Sequence, residues 1–229
     1  MHVSGRWFTV SDRLLTLLRQ YGVTVQPMRW NAGELIFARG DAARHLFIGA
    51  SGCIRLYRLT STGKEAVVRW CSVNDLFGEE CLVTPYRINS AEAVTASTAW
   101  CIAKEDLEIA TAKHPLIARQ LLLAVSDALR VTELVATALS EEIPQRIRCA
   151  IEWLQQRGGL TRQAGFLVLP FTHAQLASLI GTSRECVTVH LKMLQDSGVL
   201  LTRRRSIAVR PEWLGAAPAA FKAVPEPLP

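Results

Sequence analysis

The sequence predicts an α+β fold in three parts: a β-rich N-terminal roll, one long amphipathic helix and a C-terminal winged helix-turn-helix. Three observations carry this. Short apolar runs separated by glycine-bearing turns recur about every ten residues from Gln26 to Cys101. Apolar residues then recur at helical spacing from Leu116 to Leu139. Last, two capped helical patterns joined by Gly181 precede a basic hairpin pattern within Thr172–Val209. The expected boundaries are 1–115 for an N-terminal helix and roll, 116–143 for the long helix, 144–214 for the winged helix-turn-helix and 215–229 for an Ala/Pro-rich tail.

Taken in order, Ser11 to Gln20 carries Leu14, Leu15, Leu17 and Leu18, which suits a short helix against the roll. The β-rich runs are Glu34–Phe37, His45–Ile48, Cys53–Tyr57 and Ala66–Trp70. Between them lie the turn signals Asn31–Gly33, Arg39–Asp41, Ala50–Gly52, Ser61–Gly63 and Asn74–Asp75, a pattern for a small antiparallel barrel or roll. In the long helix, Leu122, Val125, Leu129, Thr132, Leu134, Val135 and Leu139 form an apolar stripe. A stripe of that length exceeds what one small roll covers, so pairing with a second copy in a homodimer is expected. Pro144 suits the first turn of the next helix, and Ile147–Leu154 begins the last domain.

Thr172 and Gln175 have capping-box spacing, so a helix is expected from Thr172 with Leu176, Leu179 and Ile180 inward and Gly181 ending it. Thr182 and Glu185 repeat that spacing, and Val187, Leu191 and Leu194 give a second helix its buried face before Gly198. The opposite face then carries Arg184, Glu185, Thr188, Val189 and Lys192. Arginine can bond guanine O6 and N7 together, glutamate can accept from cytosine N4, and lysine suits a phosphate. Strands at Leu200–Thr202 and Ser206–Val209 would flank Arg203, Arg204 and Arg205, whose charges suit phosphate contact. Ten basic against four acidic residues between Gln145 and Leu214 give that segment +6, the formal charge of the whole chain. The positive surface is therefore concentrated where double-stranded DNA would lie.

Composition narrows the alternatives. At 229 residues with 49% apolar content, the chain can build real cores. It has no run of eighteen apolar residues and no secretion-type leader, so a cytoplasmic, non-membrane protein is expected. The six cysteines at 53, 71, 81, 101, 149 and 186 form no CxxC pair and read as reduced, mostly buried thiols. No G-x-S-x-G, H-E-x-x-H or phosphate-cradling glycine loop occurs, which argues against an enzyme. Cys186 and His190 stand at i, i+4, but two ligands alone make no metal site.

The order of roll, long helix and winged helix resembles the Crp/Fnr superfamily of bacterial transcription regulators. The segments that carry the resemblance are AGELIFARGDAARHLFIGASGCIRLY and DLFGEECLV in the roll, AVSDALRVTELVATAL in the long helix and IGTSRECVTVHLKMLQDSGVL in the reader. The resemblance implies a cyclic-nucleotide-binding-type domain, a dimerisation helix, paired DNA readers and contact with RNA polymerase. By position, it implies that Arg184 and Glu185 read bases of a TGTGA-like half-site and that Ser183 meets phosphate. Thr188 falls where the Fnr branch has serine. Val189 replaces a base-reading arginine, and valine can touch only a thymine methyl.

In the effector pocket the resemblance matches Gly78, Glu79, Ser90 and Thr132. Asn89 stands where an arginine clamps the cyclic phosphate, and Glu133 stands where a serine helps reach the adenine. Arg87, two residues from Asn89, would share its face in a strand. Loss of the clamp removes the main charge-assisted contact to cyclic AMP. No cofactor is therefore expected, and the regulator should be effector-independent or respond to another ligand, with cyclic-nucleotide, haem and thiol-redox inputs as alternatives. His45, His114 or Cys81 are the haem-ligand options, and Cys53, Cys71, Cys81 or Cys101 the redox ones. With Cys53 as the first cysteine, the N-terminal iron-sulfur set of Fnr is missing.

Overall fold

A computed structural model describes residues 10–63, 65–157, 159–169, 171–203 and 206–215. The chain forms two compact units that divide between Thr137 and Ala138. Among the described residues, no helix is long and apolar enough to cross a membrane.

The first unit opens with helix α1 (Val10–Gln20). Strands β1 (Gln26–Trp30), β2 (Leu35–Phe37), β3 (His45–Ser51), β4 (Ile54–Leu59), β5 (Glu65–Cys71), β6 (Leu76–Phe77), β7 (Ser90–Ala93) and β8 (Ser97–Ala103) follow, with a 3-10 turn at Glu79–Leu82. They form two four-stranded antiparallel sheets in the orders β1-β8-β3-β6 and β2-β7-β4-β5. Helices α2 (Lys104–Lys113) and α3 (Pro115–Ser140) complete the unit, α3 running across its boundary.

Strand alternation separates two cores. In β3, Leu46 and Ile48 face a cluster with Leu14 and Leu18 of α1, Leu107 of α2 and Ile117 and Ala124 of α3. Phe47, between them in sequence, points the other way into a cluster with Phe37, Ile54, Leu56, Cys71 and Phe77, drawn from both sheets. A strand covered by helices on one face and by a sheet on the other is apolar at every position, which is why the run Leu46–Ile48 shows no polar alternation. Burying Phe47 and Phe77, stacked with centroids 5.0 Å apart, contributes about 1.5–3 kcal/mol each.

The expected stripe on α3 is not one face. Leu122 and Leu129 are 66% and 59% exposed, whereas Val135 is buried. Adjacent helical residues lie about 100° apart, so Leu134 and Val135 cannot both share a seam with the heptad-spaced Leu122 and Leu129.

The second unit holds α4 (Ile143–Gln156), β9 (Thr161–Gln163), β10 (Phe166–Leu169), α5 (His173–Ile180), α6 (Arg184–Asp196), β11 (Leu200–Arg203), β12 (Ser206–Val209) and α7 (Pro211–Gly215). Pro144 stands in the first turn of α4. The C-terminal hairpin is not freestanding. It joins β9 and β10 in a four-stranded sheet ordered β11-β12-β10-β9, with Leu169 opposite Ile207. Arg148 of α4 holds α7 by bonding the Leu214 carbonyl at 3.1 Å, while also pairing with Glu152.

Candidate nucleic-acid interface and effector pocket

The turn between α5 and α6 is built by its caps. Thr172 accepts from the Gln175 amide at 3.2 Å and the Gln175 side chain accepts from the Thr172 amide at 2.8 Å, the reciprocal box the spacing predicts. Gly181 takes the left-handed conformation (φ 65°), and the Thr182 amide bonds back to the Ala177 carbonyl at 3.0 Å. Gly181 thus ends the first helix, as its position predicts, and the Thr182 amide completes the closure. The cap of α6 is Ser183, which accepts from the Cys186 amide at 3.1 Å, so the second start signal at Thr182 is displaced by one residue. The physical reason is that closing α5 uses the Thr182 amide before the chain turns extended at Ser183.

Val187 and Leu191 are buried under α6 and Leu194 is half-buried, leaving Arg184, Glu185, Thr188, Val189 and Lys192 exposed together. Hydrogen bonds from its own backbone amide and from Ser183 hold the Glu185 carboxyl below the usual range, so it stays an ionised acceptor. Thr188 is less free than its exposure suggests. Its hydroxyl donates to the Arg184 carbonyl at 2.8 Å and lies 2.9 Å from Nδ1 of His173 on α5. Arg203, expected at the hairpin turn, is the last residue of β11 and is paired with Ser206. Arg204 and Arg205 lie outside the described residues. The Cys186 sulfur lies 3.7 Å from Nδ1 of His190, and the His190 Nδ1–H is bonded to the Cys186 carbonyl. Among the described residues no cluster of three metal-ligating side chains occurs.

In the roll, Gly78 adopts a left-handed conformation (φ 77°), and a Cβ there would stand 2.8 Å from Nη1 of Arg87. Glu79, the next residue, is engaged by Arg69 of β5 through both oxygens at 2.8 Å. Arg87 does not join Asn89. It is buried beneath the Gly78 segment, donating to the carbonyls of Gly78 and His45, paired with Glu80 at 3.3 Å and lying 4.1 Å over the Phe37 ring. The shared-face expectation fails because β7 begins only at Ser90, so residues 87 to 89 do not alternate as a strand. Asn89 instead accepts from Nε of Arg58 on β4 at 2.6 Å. The Ser90 hydroxyl accepts from the Arg39 amide at 3.0 Å. On α3, the Thr132 hydroxyl donates to the Ala128 carbonyl at 2.9 Å and Glu133 is exposed.

Comparison with known proteins places these two sites in one framework. Residues 27–114 match the family "Cyclic nucleotide-binding domain" and residues 145–214 match "Crp-like helix-turn-helix domain". The Cyclic AMP receptor protein of Thermus thermophilus is 33% identical over 179 residues, covering 78% of this chain and 81% of that one. The chain belongs to the Crp/Fnr superfamily. It is a DNA-binding transcription regulator of that type, and the mixed fold of roll, long helix and helix-turn-helix is the family's. The CRP-like cAMP-activated global transcriptional regulator of Mycobacterium tuberculosis is 29% identical over 189 residues, covering 81% of this chain and 84% of that one. Among solved structures, a CRP-family transcriptional regulator from Thermus thermophilus superposes with a TM-score of 0.71 at 22% identity, covering 82% of this chain and 94% of that one, a likeness of fold.

Within this Crp/Fnr chain, sequence reasoning missed three residues. Arg58, Arg69 and His173 each meet a predicted site residue from a different element, and no local spacing signals such contacts. The basic residues in β4 and β5, interrupting apolar runs, are the only trace that the first two leave in the sequence.

Proposed function

We propose that the protein acts as a homodimer on inverted TGTGA-like half-sites about one helical turn apart, and that it does so without cyclic AMP. Arg184, Glu185, Thr188 and Val189 of α6 face base edges. Thr172, Ser183, Lys192, Arg203, Arg204 and Arg205 face phosphates. The dimer contacts RNA polymerase at its promoters and works in the cytoplasm.

The observation that carries the effector reading is the Arg69–Glu79 pair. A carboxylate bound bidentately by a buried guanidinium has two of its roughly four acceptor positions taken and its orientation fixed, so ribose hydroxyls would compete with a charge-assisted pair for it. The roll then contributes a fixed scaffold, and abundance or another ligand controls activity. A second reading rests on Arg58, whose guanidinium at Asn89 offers a positive charge beside the clamp's place; in that case a cyclic nucleotide is held by a substitute clamp.

The test of the DNA reading is Arg184→Ala in duplex binding. Specific affinity falls by about 1–3 kcal/mol while affinity for a scrambled duplex changes little. Equal loss on both duplexes removes the base-reading role.

A further inference from the structure

We propose that His173 is a DNA-reading residue whose contact requires a proton, because Thr188 fixes its tautomer. The inference rests on the DNA-binding reading of α6 and begins from hydrogen-bond arithmetic. A threonine hydroxyl has one proton. The Thr188 proton goes to the Arg184 carbonyl, which can only accept, at 2.8 Å. The hydroxyl oxygen is then an acceptor toward His173, 2.9 Å away, and Nδ1 must carry the ring's proton. In the neutral ring Nε2 is left as a bare lone pair, and no described residue bonds it.

This constraint has a chemical consequence. An unbraced histidine meets a phosphate or a guanine edge while neutral, by moving its single proton to the nitrogen that faces the acceptor. His173 cannot do so without breaking the bond to Thr188. Its position at the first turn of α5, half-buried against the exposed face of α6, puts the ring beside Arg184 and Thr188, two of the residues assigned to the groove. Phosphate oxygens, guanine O6 and N7, and thymine O4 are all acceptors. We take one of these acceptors, and not the amino donors of cytosine or adenine, as the partner; contact with it needs a second proton on the ring, so DNA binding takes up a proton at each half-site.

The charged neighbours agree with this sign. Burial first, and then the charge of Arg184 on α6, lower the free ring's pKa and favour its neutral form. Arg184 is the charged group among the described residues that bears on the ring; α4, which also packs on α5, brings none that does. Phosphates raise the pKa in the complex. A base whose pKa rises on binding strengthens that binding as pH falls toward the free value, by up to about tenfold per pH unit for each ring.

The experiment measures fluorescence-anisotropy Kd values between pH 5.5 and 8.5 on a TGTGA palindrome and a scrambled duplex, for the full chain and for His173→Gln, Thr188→Val and Thr188→Ser. The unmodified chain binds more tightly as pH falls. His173→Gln flattens that slope, and other titrating groups cancel in the comparison. Thr188→Val frees the tautomer and also flattens the slope, with relative gain at pH 8, whereas Thr188→Ser keeps the brace and the slope. A slope on both duplexes assigns the contact to phosphate, and a slope on the palindrome alone assigns it to a base edge. A slope unchanged in His173→Gln overturns the proposal and leaves the DNA reading standing; no specific binding at any pH overturns both. Imidazole 15N shifts of the free protein give a check without DNA: protonation of His173 at Nε2 rather than Nδ1 in the neutral ring contradicts the tautomer.

Discussion

Val189 offers the sharpest single-residue consequence. It is 58% exposed on α6 between residues equipped for hydrogen bonding, and its side chain can give only apolar contact. Replacing it with arginine restores a bidentate guanine donor. Val189→Arg is expected to gain about 1–3 kcal/mol of discrimination at one base pair per half-site, measured as the Kd ratio between matched and singly substituted duplexes. At this scale, sequence was a good guide to which residues share a face of one helix. The common exposure of Arg184, Glu185, Val189 and Lys192 was legible because burial of Val187 and Leu191 dictates the opposite face. Arg87 was misread, since two-residue alternation was assumed for a stretch that precedes its strand. The partners of Glu79, Asn89 and Thr188 were illegible because Arg69, Arg58 and His173 reach them through sheet pairing and helix packing, which local spacing does not encode.

At the scale of elements, caps and apolar faces decide the outcome. Ser183 caps α6, whereas the Thr182 amide closes α5. Ser183→Ala is therefore expected to cost about 1 kcal/mol of unfolding free energy in urea titration, a typical N-cap loss. Thr182→Ala stays within about 0.5 kcal/mol, and the reverse order would relocate the cap. Only Thr182 has the capping-box spacing, to Glu185; Ser183 has Cys186 three residues on and caps without a reciprocal partner. What separated them was the backbone bond from Thr182 to Ala177, which depends on Gly181 and not on the side chain of Thr182. The long helix makes a second demand. Leu122 and Leu129 stand one heptad apart and exposed, while Ile117 and Ala124 pack into the roll. Leu122→Glu with Leu129→Glu should shift light scattering from dimer to monomer while the far-ultraviolet circular dichroism is retained. A dimer that survives both charges places the interface elsewhere. The expected bounds of 116–143 met the start of this helix to within a residue but overran its end at Ser140, and periodicity merged its two faces, because both are apolar and only the folded roll distinguishes them.

For the molecule as a whole, the question is whether the roll transmits a signal. Its thiols are poorly placed to do so. Burial pushes Cys71 up to about 12 and Cys81 to about 11, and Cys53 and Cys101 also rise, so reactive thiolate is scarce. Two residues that the family resemblance would put in an effector pocket are engaged within the roll, Glu79 by Arg69 and Asn89 by Arg58. The proposed effector-free reading therefore expects the apo protein to be competent already. The most direct measurement is anisotropy binding of the purified apo protein to a TGTGA palindrome and its scrambled counterpart, with and without cyclic AMP. Tight binding to the palindrome alone, with a Kd unchanged by the nucleotide, is the predicted result. Specific binding that appears only when cyclic AMP is present would contradict it and make Arg58 the replacement clamp.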